Sequence, residues 1–186
     1  MIYSFRFLLL VMLLLNANAA FTTNANPIST VLNYQEINPN LVSGGQISYE
    51  QIATLPESGI DLVINLTKNP SDVMAREGYE ITQLGIDYVH IPVAWSAPTR
   101  ADYQLFEQLL KSAKNQKVLV HCDANYRASA FIYLFQRLAL KVPANEAQNT
   151  LETIWPASAW QEYPQWQSFI NDRLIEADLS QIFKPT

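Results

Sequence analysis

The segment Lys117-Val-Leu-Val-His-Cys-Asp-Ala-Asn-Tyr-Arg127 constrains this chain more than any other. It opens as a run of branched apolar residues, too short for a helix and suited to a buried strand. Residues 128 to 140 follow with Phe131, Leu134, Phe135 and Leu138 in one apolar stripe, the pattern of a buried helix. Strand, tight loop and helix N-terminus therefore come in immediate succession. The backbone N–H groups of such a loop, with the unpaired amides of the first helical turn, point into one cavity and make a site for phosphate or sulfate.

The rest of the chain supplies a setting for that unit. Residues 61 to 66 and 88 to 91 read as further strands, and helices are expected between them. Ser48 with Gln51 forms a capping box before a short helix that Pro56 ends, and Asn69-Pro70 offers a cap and first-turn proline ahead of residues 71 to 84. Thr99 with Asp102 forms a second box, followed by Tyr103, Phe106, Leu109 and Leu110 at helical spacing. Further helices are expected from Pro143 to about Ile154 and around Trp166, Phe169, Ile170 and Leu174. The cluster Trp155, Trp160, Tyr163 and Trp166 reads as packing. Alternating strands and helices predict a single α/β domain with a central, mainly parallel sheet flanked by helices.

The chain's one cysteine, Cys122, stands at the start of the loop. It is either buried and inert or kept free because its thiol is used. The loop amides favour a thiolate there, which turns a thiol into a nucleophile near neutral pH. Arg127 adds a planar, permanently charged fork able to hold two oxyanion oxygens. Asn125 suits a turn that needs positive φ. Ser129 is a candidate hydroxyl donor to the sulfur.

The N-terminus sets the expected compartment. Arg6 is the one charge among the first nineteen residues, Phe7 to Leu15 are all apolar, and Ala17-Asn18-Ala19 places small residues at a cleavage position. A signal peptide over 1–19, a polar tether over 20–38 and a folded domain over 39–180 are expected, in a periplasmic or secreted protein without stable membrane insertion after cleavage. Removing Arg6 leaves eleven basic against seventeen acidic side chains, and no run of Lys or Arg opposes that balance, which argues against a nucleic-acid partner.

His-Cys-Asp-Ala-Asn-Tyr-Arg-Ala-Ser129 resembles the His-Cys-x5-Arg-Ser/Thr signature of tyrosine and dual-specificity phosphatases. Leu41-Val-Ser-Gly-Gly-Gln46, residues 59 to 66 and residues 85 to 93 are similar to stretches of dual-specificity-like domains, especially a bacterial group including the beta-lactamase-hydrolase-associated phosphatases. The resemblance covers roughly residues 40 to 140. It implies attack of the cysteine thiolate on phosphorus, a cysteinyl-phosphate, and hydrolysis of that intermediate by water. No metal or cofactor is implied. Asp123, Ala124, Asn125, Tyr126 and Ala128 fall in the phosphate-binding loop, with His121 as the residue that orients it.

Three departures from the signature matter. Four residues separate Cys122 from Arg127 instead of five, so Arg127 would be turned by ~100° unless the loop is shorter. Asp123 puts a carboxylate beside the nucleophile and is expected to face solvent. The acid-bearing loop of the family falls near Ala94-Trp95-Ser96, which has no carboxylate; Asp102 is the nearest candidate proton donor, and its capping box with Thr99 explains it without catalysis. His90 and Asp87 are expected to be structural and surface residues. Two other readings stay open: an anion-binding protein of weak or no activity, and a rhodanese-type sulfurtransferase, whose loop has the same four-residue spacing.

Overall fold

The computed structural model describes residues 27–68 and 72–177. The leader expected over 1–19 and the Asn69-Pro70 cap lie outside these residues. Five short strands, β1 (Gln35–Asn38), β2 (Leu41–Gly44), β3 (Leu62–Asn65), β4 (Asp87–His90) and β5 (Val118–His121), form one sheet in the order β1-β2-β5-β3-β4. β1 runs antiparallel to β2 and all other pairings are parallel. The helices are α1 (Tyr49–Ile52), α2 (Asp72–Gln83), α3 (Arg100–Ser112), α4 (Tyr126–Leu138), α5 (Ala144–Glu152), α6 (Ala157–Glu162) and α7 (Pro164–Glu176).

Burial follows position in the sheet. β2, β3 and β5 are buried at every residue, as strands covered on both faces must be, whereas the outer strands β1 and β4 alternate or fray toward solvent. Leu41, Leu62, Ile64, Val118 and Val120 face a core built with α3 to α7. Val42, Val63 and Leu119 face the other way, onto Ile52 and Leu55 around α1 and onto Ile81 of α2. The two capping boxes form as expected: Ser48 Oγ accepts from Gln51 N while Gln51 Oε1 accepts from Ser48 N, and Thr99 and Asp102 do the same at the start of α3. Gly59 and Gly85, both at positive φ, turn the chain just before β3 and β4.

The structure departs from the sequence-based expectation in three places. Residues 28–38, read as tether, form a 3-10 turn (Ile28–Thr30) and strand β1; Ile28 and Val31 are buried, so this stretch belongs to the core. β2 is a central strand that short length and the Ser43-Gly44 pair hide from a propensity reading. α4 starts at Tyr126, not Ala128, because Asn125 adopts the left-handed conformation (φ 67°) and closes the loop early. Arg127 thereby enters the first helical turn, directly after the loop.

Candidate active site

β5 lies in the middle of the sheet and Cys122 follows its carboxyl end, the edge of an open α/β sheet where ligands bind. Every carbonyl of the loop is tied to the protein. Asp123 O accepts from Gln46 N (3.0 Å), Ala124 O from Asn33 Nδ2 (3.0 Å), and Asn125 O from Ser129 N and Oγ (2.9 and 2.8 Å). Tyr126 O accepts from Trp155 Nε1 (3.2 Å). Among the described residues, by contrast, no acceptor takes the amides of Asp123, Ala124, Tyr126, Arg127 and Ala128. With its carbonyls turned into the protein and its N–H groups unused, the loop offers a set of donors suited to an oxyanion.

Tertiary contacts hold that shape. Asn125 is fully buried, and its Nδ2 donates to Asn33 O (2.6 Å) and Ser43 Oγ (3.0 Å). The exchange between Asn33 and residues 124–125 means that the supposed tether braces the loop. Gly45 is required for the same close approach: a Cβ there would stand 2.9 Å from Asp123 O and 3.0 Å from Leu32 O.

The predicted site residues meet different fates. Cys122 is buried and unpaired, 1 % exposed. Arg127 is 5 % exposed; its Nη1 donates to Asp123 Oδ2 at 2.9 Å, and its guanidinium carbon lies 5.3 Å from the centre of the Trp95 ring. Asp123 is exposed, as expected, yet its carboxylate turns back onto the Arg127 guanidinium. Ser129 does not serve the sulfur: its hydroxyl donates to Asn125 O and accepts from Trp155 Nε1 at 3.1 Å. Asp102 Oδ2 accepts from Thr99 N (3.1 Å) and Thr99 Oγ1 (2.7 Å), so its carboxylate serves the cap of α3, and no hydrogen bond joins it to the loop.

Two features were not foreseen. Trp95 holds the place of the family's acid loop and packs into the aromatic cluster, with ring centroids 4.8 Å from Tyr163 and 5.3 Å from Trp166, whose Nε1 donates to Trp95 O. Trp155, Trp160 and Trp166 are buried, so the cluster is packing, and it fixes the wall above Arg127. His121 donates through Nε2 to Glu77 Oε1 at 2.9 Å, both side chains being fully buried. Only a three-dimensional register could pair residues so far apart in sequence. Among the described residues no cluster of three or more His, Cys, Asp or Glu could hold a metal ion. A cavity of about 560 Å³, lined by Leu41, Leu110, Lys111, Val118 and Phe135, opens at the amino ends of β2 and β5, opposite Cys122.

A family model described as a DSP-PTPase phosphatase fused to NAD+ kinase matches residues 19–162. The chain belongs to this DSP-PTPase family. A solved structure of a DUF442 protein from Shewanella putrefaciens CN-32 is 38% identical, with 78% of this chain and 91% of that chain covered and a TM-score of 0.71. TpbA of P. aeruginosa is 15% identical (76% and 84% covered, TM-score 0.60), and the catalytic domain of the S. cerevisiae PP-IP phosphatase Siw14 is 13% identical (83% and 98% covered, TM-score 0.59). No curated protein matches the chain. The DSP-PTPase fold is thus the one expected from HCDANYRAS and its upstream segments, a mainly parallel sheet between helices, and the sheet has five strands.

Proposed function

We propose that the chain is an exported, cysteine-dependent phosphomonoester hydrolase acting through Cys122. The observation that carries this reading is the loop directly after Cys122, whose carbonyls from Asp123 to Tyr126 are tied down and whose amides have no acceptor among the described residues, with Arg127 in the adjoining helical turn. The thiolate of Cys122 attacks phosphorus and the bond to the leaving oxygen breaks; water then attacks the cysteinyl-phosphate, the S–P bond breaks, and phosphate and the thiolate are released. Arg127 and the amides hold the three non-bridging oxygens and offset their charge as the transition state forms.

With Asp102 engaged in a helix cap and no carboxylate at Ala94-Trp95-Ser96, protonation of the leaving group has no strong donor. A phenolate leaves without one, so aryl phosphates are the substrates of choice. The related fold of TpbA has been solved with phosphotyrosine, which fits that class. The leader expected over residues 1–19 supports export, to the periplasm or outside the cell. Among the described residues no helix is long and apolar enough to cross a membrane.

Hydrolysis of p-nitrophenyl phosphate that is lost in Cys122→Ser supports this function, and turnover that survives the substitution would sink it. Binding of phosphate without turnover would point instead to an anion-binding protein, a reading favoured by the Asp123–Arg127 contact alone. The sulfurtransferase reading rests on loop length only; sulfur transfer from thiosulfate to cyanide would revive it.

A further inference from the structure

Behind the Cys122 loop lies a fully buried carboxylate, Glu77 of α2. Donors from four other elements converge on it. Gln46, just beyond β2, donates through Nε2 to Oε2; Asn65 at the end of β3 (2.8 Å), Tyr88 of β4 (3.0 Å) and His121 at the end of β5 (2.9 Å) donate to Oε1. Burial by itself would raise the Glu77 carboxyl, but the hydrogen bond and charge of His121, then the bonds from Gln46 and Tyr88, hold it below its ordinary value. The Tyr88 hydroxyl is pushed up by burial and by the Glu77 charge, so it remains a donor.

A buried charge is seldom needed for stability, because well-packed apolar residues of the same volume usually serve as well. This one ends on the imidazole of His121, the residue that precedes the candidate nucleophile in the chain. Accepting from Nε2 fixes that nitrogen as the protonated one and sets the ring's orientation, as a carboxylate does for a histidine in catalytic and metal sites. His121 Nδ1 is buried and has no partner among the described residues.

We propose that Glu77 is a positioning residue for Cys122: through the Nε2–H of His121 it orients and polarises the imidazole of the residue preceding the nucleophile, and so raises the reactivity of the thiol. This rests on Cys122 acting as a nucleophile. The titratable groups that share the region are Tyr88 from β4, His121 from β5, and Asp123 and Arg127 flanking Cys122 from the loop and α4; His90 on β4 is turned to Thr67 O at 2.6 Å.

The chain has one cysteine, so alkylation by iodoacetamide reports Cys122 alone. Glu77→Gln keeps the shape, and Gln46 Oε1, buried without a partner among the described residues, can accept from the introduced amide once the Gln46 amide turns over. The midpoint of alkylation rate against pH should rise in this variant by about half a unit or more, roughly threefold in rate at neutral pH. His121→Gln, which keeps a donor toward Glu77 but lacks the imidazole, should move it as far, and the double variant no further than the larger single change. A midpoint unchanged or lowered in Glu77→Gln that melts cooperatively overturns the proposal; if that variant does not fold, an unchanged midpoint in His121→Gln does so. A wild-type profile of an ordinary thiol, insensitive to inorganic phosphate, would sink the nucleophile and the Glu77 role together. A lowered wild-type midpoint retained in Glu77→Gln removes only Glu77.

Discussion

Arg127 is held from two sides, by the Asp123 carboxylate and by the Trp95 ring. The pair with Asp123 is open to solvent on the carboxylate side and is worth at most about 1 kcal/mol. Asp123→Asn should therefore tighten inorganic phosphate by about two- to fivefold, measured as protection of Cys122 from alkylation. Weaker protection would show that Asp123 aims the guanidinium instead of competing for it. Arg127→Lys keeps the charge and loses the fork, so kcat/KM for an aryl phosphate should fall by about a hundredfold or more. Asn125 and Arg127 were legible because their chemistry is local: a turn needing positive φ and a fork beside a loop. Glu77, Gln46 and Asn33 were not, since each acts on the loop across a tertiary contact that no short window contains.

At the scale of elements, the α3 cap decides a catalytic question. Asp102→Asn weakens the capping box and should cost about 1 kcal/mol in urea unfolding, while the acid limb of the rate profile stays where it is. A shifted acid limb would restore Asp102 as proton donor. The strands β3, β4 and β5 could be read in advance because their branched residues leave few alternatives, and α3 because Thr99 and Asp102 mark its start. β2 and β1 escaped notice: Ser43 and Gly44 weaken the strand pattern, and the polar stretch before them hides Ile28 and Val31. The residues flanking those two strands matter to the site, because the Gln46 amide and Asn33 hold the loop that β5 presents.

Across the whole molecule, the sheet order sets β5 between β2 and β3, so the loop is anchored from both sides and underneath by Glu77. The lowered carboxyl of Glu77 also has a stability consequence. A carboxylate whose folded value lies below its unfolded value of 4.5 stabilises the fold above that pH, and the gain is lost as pH falls through the folded value. The wild-type chain should lose Tm below about pH 4.5, and Glu77→Gln should show a flatter acid limb in the same melts. An equally steep limb in the variant would assign acid unfolding to other carboxylates. The proposed mechanism is covalent: phosphorus passes through Cys122. It is tested most directly by mixing the protein with a 32P-labelled aryl phosphate, quenching in acid and locating the label. The prediction is label on the peptide containing Cys122, absent in Cys122→Ser; turnover with no label on that peptide would contradict it.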